Sequence, residues 1–279
     1  MTASAKPDGL LPEMQRPWAK YFSKWLSAYK AYGIDYWAVT VQNEPEATAG
    51  WESMLWSPGF MASFVKEHLG PVLATEHPTV RIFGFDHNKD HVVEWAEGLY
   101  ADSGAARFFD GIAVHWCKPA RPTLQPAQSL VFQPCCCATC PRSTSNLAAA
   151  DGGLNTDKLQ AAHDLAPAKM LLATEACNCV GNVLFAWQNL AAWWTRAEKL
   201  ALDILEDLRF WASGWIDWNL LVDTTGGPNH LKNLCDANII VDAEEQLGTG
   251  SPLIKQASYY YMGHFSRYLS PGSRRVGLI

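Results

Sequence analysis

Apolar residues along this chain recur in two alternating rhythms, one of helical and one of strand period. Trp18, Tyr21, Phe22, Trp25, Leu26 and Tyr29 fall at three- and four-residue steps, which predicts an amphipathic helix closed by Gly33. Tyr36 to Val41 reads as a strand, and Ser57-Pro58 as the N-cap and first position of a helix that buries Met61, Phe64, Val65 and Leu69. A second strand spans Val80 to Phe85 and ends in Asp86-His87-Asn88; Val92, Val93, Trp95, Ala96 and Leu99 then share a helical face. Gly111 to Val114 is a third strand, ending at His115-Trp116.

The rhythm breaks between about Lys118 and Gly153, where prolines, small polar residues and the cluster Cys135-Cys-Cys-Ala-Thr-Cys140 predict an irregular insertion. It resumes with a helix from Asp157 to Leu165, a strand from Met170 to Thr174, and a long helix whose face is Ala197, Leu200, Ala201, Ile204, Leu205, Leu208 and Trp211, stopped by Gly214. A fifth strand is expected over Trp215 to Leu220, then a Gly226-Gly-Pro-Asn229 loop and a last helix over Lys255 to Tyr268. Ser273 to Ile279 reads as a strand-like run opening a further domain. Strands alternating with helices, without hairpin signals between them, imply an α/β fold with a parallel sheet. Five βα units are legible where a closed (β/α)8 TIM barrel needs eight, so the expectation is a partial barrel, with an open α/β sheet as the alternative.

The chemistry sits at two strand ends. Val39-Thr-Val-Gln-Asn-Glu-Pro45 and Met170-Leu-Leu-Ala-Thr-Glu-Ala176 are apolar runs that stop at a glutamate, and the carboxyl ends of barrel strands are where such folds keep their reactive groups. Pro45 cannot continue a ladder and pins the turn after Glu44. Glu175 follows a continuous apolar run, so its carboxylate must emerge at the sheet's end or be buried at a cost of several kcal/mol. A glycosidase needs one carboxylic acid to protonate the leaving oxygen and a second carboxylate to attack the anomeric carbon, which is the expectation for Glu44 and Glu175. Glu44 must then rest protonated, with a pKa above the ordinary value of about 4.3. Asn43 is placed to bond a sugar hydroxyl beside the scissile bond. His115 ends another strand on the same rim. Trp218, Asn219 and Asn233 are candidates for a sugar-binding wall, and the Asp86-His87-Asn88 group for hydroxyl contacts.

Composition narrows the partners. A net charge of -6 and a pI near 5.7 leave no concentrated basic surface, which excludes nucleic acid. Thirteen tryptophans exceed what core filling needs, and indole faces stack well on sugar rings. No apolar run reaches the roughly 18 residues of a membrane span, and the opening Met1-Thr-Ala-Ser-Ala-Lys-Pro lacks the apolar centre of a signal peptide. Eight cysteines, at 117, 135, 136, 137, 140, 177, 179 and 235, lack the spacing of a disulfide framework and leave the redox compartment undecided. Cys137-x-x-Cys140 has zinc-like spacing, but no second ligand pair stands at a defined distance, so no metal site is expected.

Several blocks together resemble a known family. Trp37-Ala-Val-Thr-Val-Gln-Asn-Glu-Pro45, Gly111-Ile-Ala-Val-His-Trp116, Leu172-Ala-Thr-Glu-Ala-Cys177, Gly214-Trp-Ile-Asp-Trp-Asn-Leu220, Gly226-Gly-Pro-Asn229 and Gly263-His-Phe-Ser266 are similar, in order, to the glucosylceramidase (acid β-glucosidase) group of glycoside hydrolase family 30. The resemblance implies a retaining enzyme, without cofactor, on a (β/α)8 barrel with a side β-domain, which hydrolyses glucosylceramide to glucose and ceramide. By that resemblance Glu44 matches the acid/base, with Asn43 beside it, and Glu175 the nucleophile. His115, Trp218 and Asn233 match active-site residues, and Cys177 a cysteine just behind the nucleophile. Asn88 stands where the family carries a glutamine, and Cys117 where it carries a tyrosine. The first three barrel strands, with the aspartate and tryptophan that grip glucose, have no counterpart here, nor does most of the side domain. The implied plan is a partial catalytic barrel over residues 1–268 with an insertion at about 118–153, then the first strand of a truncated β-domain over 269–279. Family likeness also implies contact with a membrane surface or an activator protein, and a lysosomal or secreted location. Action on another β-linked glycan, or glycan binding without catalysis, are the alternative readings.

Overall fold

The computed structural model describes residues 9–48, 52–116, 156–178, 190–229, 235–245 and 248–276. The predicted insertion therefore lies outside the described residues, as do Asn233 and Cys117. The chain divides into two compact units, Met1–His115 with Asp157–Thr174 and Trp211–Gly214, and Trp116–Thr156 with Glu175–Phe210 and Trp215–Ile279.

The first unit is built on a five-stranded sheet in the order β1 (Ala38–Thr40), β2 (Arg81–Asn88), β3 (Gly111–His115), β4 (Met170–Glu175), β5 (Ala212–Trp215). β1 pairs in parallel with β2, and β2 with β3. Backbone bonds from Met170 to Asp110 and from Trp116 to Glu175, with both chains advancing together, continue the parallel sense into β4. Helices connect the strands as the apolar periodicity requires: α1 (Pro12–Ala31), α2 (Pro58–Phe64), α3 (Gly70–Glu76), α4 (Val92–Tyr100), α5 (Ser103–Ala106) and α6 (Thr156–Leu165).

Local chemistry explains the element ends. Ser57 Oγ accepts from the Phe60 N–H at 3.2 Å, and Pro58 opens α2, as expected for an N-cap followed by proline. A wide π turn over Val65–Leu69 joins α2 to α3 just ahead of Pro71, whose ring nitrogen has no hydrogen to give. Met61, Phe64, Val65, Leu69 and Leu73 line the buried side, and Val92, Trp95, Ala96 and Leu99 do so in α4. Gly111 is required by close approach, because a Cβ there would stand 2.2 Å from the Met170 carbonyl oxygen on β4.

Alternation assigns the two faces of the sheet. Ala38, Phe83, Ala113, Leu172 and Met170 pack together on one face. Gly84 lies on the other, where a Cβ would meet Leu99, Phe109 and Met61. Phe85 should return to the first face but instead stacks on Trp95 of α4, ring centroids 5.0 Å apart, beside Met61. A β-bulge causes this: register runs Phe85 to Ala113 and then His87 to Val114, leaving Asp86 without an opposite residue. Phe85 and Asp86 carry φ of 69° and 68°, the left-handed conformation that a bulge of this kind imposes.

The helix predicted from the aromatic stripe is α1; Ala19, Ser23 and Leu26 are buried, while Trp18, Tyr21, Phe22 and Trp25 line a cleft of about 340 Å³ with Tyr36 and Ala38–Thr40. Ser23 and Lys20 bind Glu76 at the end of α3. Three expectations need correction. The fifth strand is Ala212–Trp215 rather than Trp215 to Leu220, since Ile216 and Leu220 are exposed. Gly214 consequently sits inside that strand; the long helix, α7, covers Leu190–Arg209 and ends before Trp211, itself at φ 75°. The hairpin-free pattern also fails in the second unit, where β6 (Leu221–Asp223), β7 (Ile239–Val241) and β8 (Leu253–Lys255) form a sheet with β7 antiparallel to β8. Val222, Ala237, Ile240 and Ile254 make its core with Trp193 of α7, and α8 (Ala257–Tyr268) follows. No strand forms over residues 269–276.

Candidate active site

The first face of the five-stranded sheet, followed toward the carboxyl ends of its strands, turns from apolar to polar. Period-two alternation carries Ala38 to Thr40 on β1, Ala113 to His115 on β3 and Leu172 to Thr174 on β4. The bulge adds Asp86 to the same face. The result is one connected group: Thr174 Oγ1 donates to Asp86 Oδ1 at 2.5 Å, and His115 Nε2 stands 3.1 Å from that oxygen. On the other side of the ring, Nδ1 lies 3.5 Å from Glu44 Oε1.

Glu44 is 3% exposed although it follows the strand by four residues. Its N–H donates to the Asp86 carbonyl at 2.9 Å, and with φ at 47° the chain turns sharply into Pro45. These bonds place the carboxyl over the sheet's end rather than in solvent. Asn43, one residue earlier, is exposed. Asn88 closes β2 opposite His115 and is buried, with a side-chain oxygen that has no hydrogen-bond partner among the described residues. A buried acceptor of this kind costs free energy unless some donor reaches it, and a substrate hydroxyl is a donor of the right type.

Charge is distributed by burial and by neighbours. Burial pushes the Asp86 carboxyl up, but the attraction of the His115 ring and hydrogen bonds from His115, Thr174 and Thr40 outweigh it and hold the group below its ordinary range. Burial holds the His87 ring below the usual imidazole range against the pull of Glu44 and Glu46. Glu46 fixes the outer layer: it accepts from Trp95 Nε1 at 2.8 Å and from His91 Nδ1 at 2.7 Å, and the latter bond raises the His91 pKa.

In the second unit, Glu175 is the last residue of β4 and is half-buried. Its carbonyl accepts from the Trp116 N–H at 3.1 Å, and the next two carbonyls are also taken, Ala176 by the Trp218 N–H at 2.7 Å and Cys177 by Trp116 Nε1 at 3.0 Å. The strand end is thereby held on both sides by tryptophans. Trp218 keeps 38% of its surface open, and Cys177 is buried. Following Trp218 in the same unit, Asp236 takes Arg196 Nε at 2.9 Å, and burial raises the Asp236 pKa despite that arginine.

Of the residues named from sequence, Glu44, His115 and Asn88 are brought together on one sheet end, while Glu175 and Trp218 meet through the backbone of Ala176. Asn233 lies outside the described residues. Thr174 went unread as part of the group, because a threonine inside an apolar strand gives no signal of its own. Asp86 is named from sequence for hydroxyl contacts, but its bonds to Thr174 and His115 are not legible there, since regular alternation would send it to the opposite face.

A model of the glycosyl hydrolase family 30 TIM-barrel domain matches residues 11–130 and 147–269. Mouse lysosomal acid glucosylceramidase is 33% identical over 268 residues, 94% of this chain and 44% of its own length. An endo-1,6-beta-D-glucanase of Neurospora crassa is 26% identical over 259 residues, 91% of this chain and 43% of its own. Among solved structures, SrfJ from Salmonella typhimurium superposes with a TM-score of 0.71 at 29% identity, covering 98% of this chain and 52% of that one. The chain thus spans less than half the length of the curated relatives it matches.

Proposed function

The chain belongs to glycosyl hydrolase family 30, and we propose that it carries the acid/base and nucleophile of a retaining β-glycosidase, with glucosylceramide as substrate. The observation that carries the reading is that Glu175 ends β4, held by backbone bonds on either side, and that Glu44, four residues after β1, is buried against a histidine. In the first step Glu44 gives its proton to the glycosidic oxygen as Glu175 attacks the anomeric carbon; the carbon–oxygen bond breaks, ceramide leaves as the alcohol, and a glycosyl ester remains on Glu175. In the second, Glu44 takes a proton from water, which attacks the same carbon and frees glucose and the Glu175 carboxylate. Asn88 and Asn43 supply hydroxyl contacts, Trp218 an aromatic wall, and His115 orients Glu44; Asn233 completes the wall by family likeness. No cofactor enters this chemistry. Residues 1–268 would supply the barrel portion and 269–279 the approach to a side β-domain. A lipid aglycone would be met at a membrane surface or on an activator protein.

A second reading, hydrolysis of a β-1,6-glucan, draws on the similarity to the Neurospora protein. Glu175→Gln should abolish turnover of an aryl β-glucoside and block covalent labelling by a cyclitol epoxide; unchanged turnover ends the assignment. Parallel assays on glucosylceramide, β-1,6-glucan and xylan choose among substrates.

A further inference from the structure

We propose that Asp86 is a positioning residue for proton transfer, acting on Glu44 through the ring of His115; the inference rests on the acid/base role proposed above for Glu44. An ionised carboxylate only accepts hydrogen bonds, and Asp86 Oδ1 already takes one from Thr174 Oγ1. The His115 nitrogen 3.1 Å from the same oxygen must therefore carry a hydrogen. In a neutral ring this fixes the proton on Nε2 and leaves the lone pair on Nδ1, the atom facing Glu44 Oε1 at 3.5 Å. Such a ring can receive a hydrogen bond from Glu44 but cannot give one, so it favours the glutamic acid over the glutamate. The opposite tautomer would donate to Glu44 and favour the ionised form, which has no proton for a leaving group.

His115 is 1% exposed and Asp86 5%, so bulk solvent has little access to either group. Thr40 and Thr174 flank Asp86, and the His87 ring, 6.5 Å from His115, is held neutral by burial. The separation between Nδ1 and Oε1 is long for a hydrogen bond, as expected of a catalytic contact that tightens with substrate in place.

The test separates acid catalysis from mere scaffolding by the leaving group. Asp86→Asn keeps the shape but can present an amide N–H to His115 Nε2 and so reverse the tautomer. On an alkyl β-glucoside, whose leaving oxygen needs the proton, kcat/KM should fall about 100-fold, while on 2,4-dinitrophenyl β-glucoside, which leaves unaided, it should fall less than about threefold. Equal losses on both substrates overturn the proposal. Thr174→Val, which withdraws one donor from the same oxygen, should shift the two substrates unequally in the same sense if the Asp86 variant does not fold, and no inequality there also overturns it. A readout without turnover guards against confusion with the parent reading: 15N spectra of histidine-labelled protein, assigned with His115→Asn, should show His115 protonated on Nε2. A ring protonated on Nδ1 defeats the proposal, whereas the expected tautomer in a chain that hydrolyses no glycoside defeats only the glycosidase reading.

Discussion

Asp217 offers a thermodynamic test that needs no substrate. It precedes Trp218 in the loop after β5, where its Oδ2 accepts from Asn238 Nδ2 at 2.6 Å. Burial drives its carboxyl up to about 7; bonds from Asn238 and the Trp218 N–H oppose the shift, and the charge of nearby Asp236 adds to it. In the unfolded chain the group titrates near 3.8. Between these values the folded chain holds a proton that the unfolded chain has released. Stability from Asp217 is therefore complete below about pH 4 and is lost as pH rises through 7. A shift of about three units corresponds to about 4 kcal/mol, and partial solvent access to the side chain reduces that to about 2–4 kcal/mol. Urea denaturation of the chain and of Asp217→Asn, which mimics the protonated acid, should be compared from pH 4.5 to 7.5. The variant should gain on the parent as pH rises, by about 1.4 kcal/mol per pH unit at most. A stability difference that stays constant over this interval refutes the argument, because burial would then not be acting on the charged form.

Two further outcomes follow from the packing of the first unit. Gly111→Ala places a Cβ 2.2 Å from the Met170 oxygen and 2.7 Å from Phe83 Cε1; only separation of β3 from β4 relieves the backbone contact, so a loss of about 3 kcal/mol or more is expected in thermal melts, and an unchanged Tm contradicts the register. Glu46→Gln removes the charged acceptor of His91 Nδ1, so the His91 titration, followed by NMR, should move down toward the ordinary value of 6.5, and the His87 ring, which the Glu46 charge also pulls up, should move down with it; no movement of His91 means that another group sets it.

What the amino-acid pattern could reveal was governed by element length and burial. β2, β3 and β4 are covered by helices and are read easily as continuous apolar runs, and the glutamate that ends such a run marks itself. β6 to β8 have three residues each, too few to show alternation, whereas β1, equally short, lies within the longer apolar run Tyr36 to Val41. β5 was misplaced for a conformational reason: a tryptophan, Trp211, adopts the left-handed turn after α7 that glycine would ordinarily announce, so Gly214 was read as the stop three residues late. In α1 the period was legible, but which face is buried was not, since two of its buried residues, Ala19 and Ser23, are small and one of them is polar.

The bulge in β2 is where local cost and candidate chemistry meet. Glu44, Phe85 and Asp86 are three non-glycine residues with φ between 47° and 69°, each costing of order 1–3 kcal/mol relative to a relaxed backbone. Glu44 and Asp86 are tied to one another by the bond from Glu44 N–H to the Asp86 carbonyl, so neither turn relaxes without losing the other. In a regular strand Phe85 would fall on the face of Phe83 and Ala113, and Asp86 would point at Leu99 and Phe109, where a carboxylate has no donor. The extra residue reverses both assignments: Phe85 gains the Trp95 stack, and Asp86 gains Thr174 and His115. Strain in the turn is thus offset by apolar burial on one face and hydrogen bonds on the other. The same reversal is what gives His115 an anionic partner behind it and leaves its second nitrogen facing Glu44.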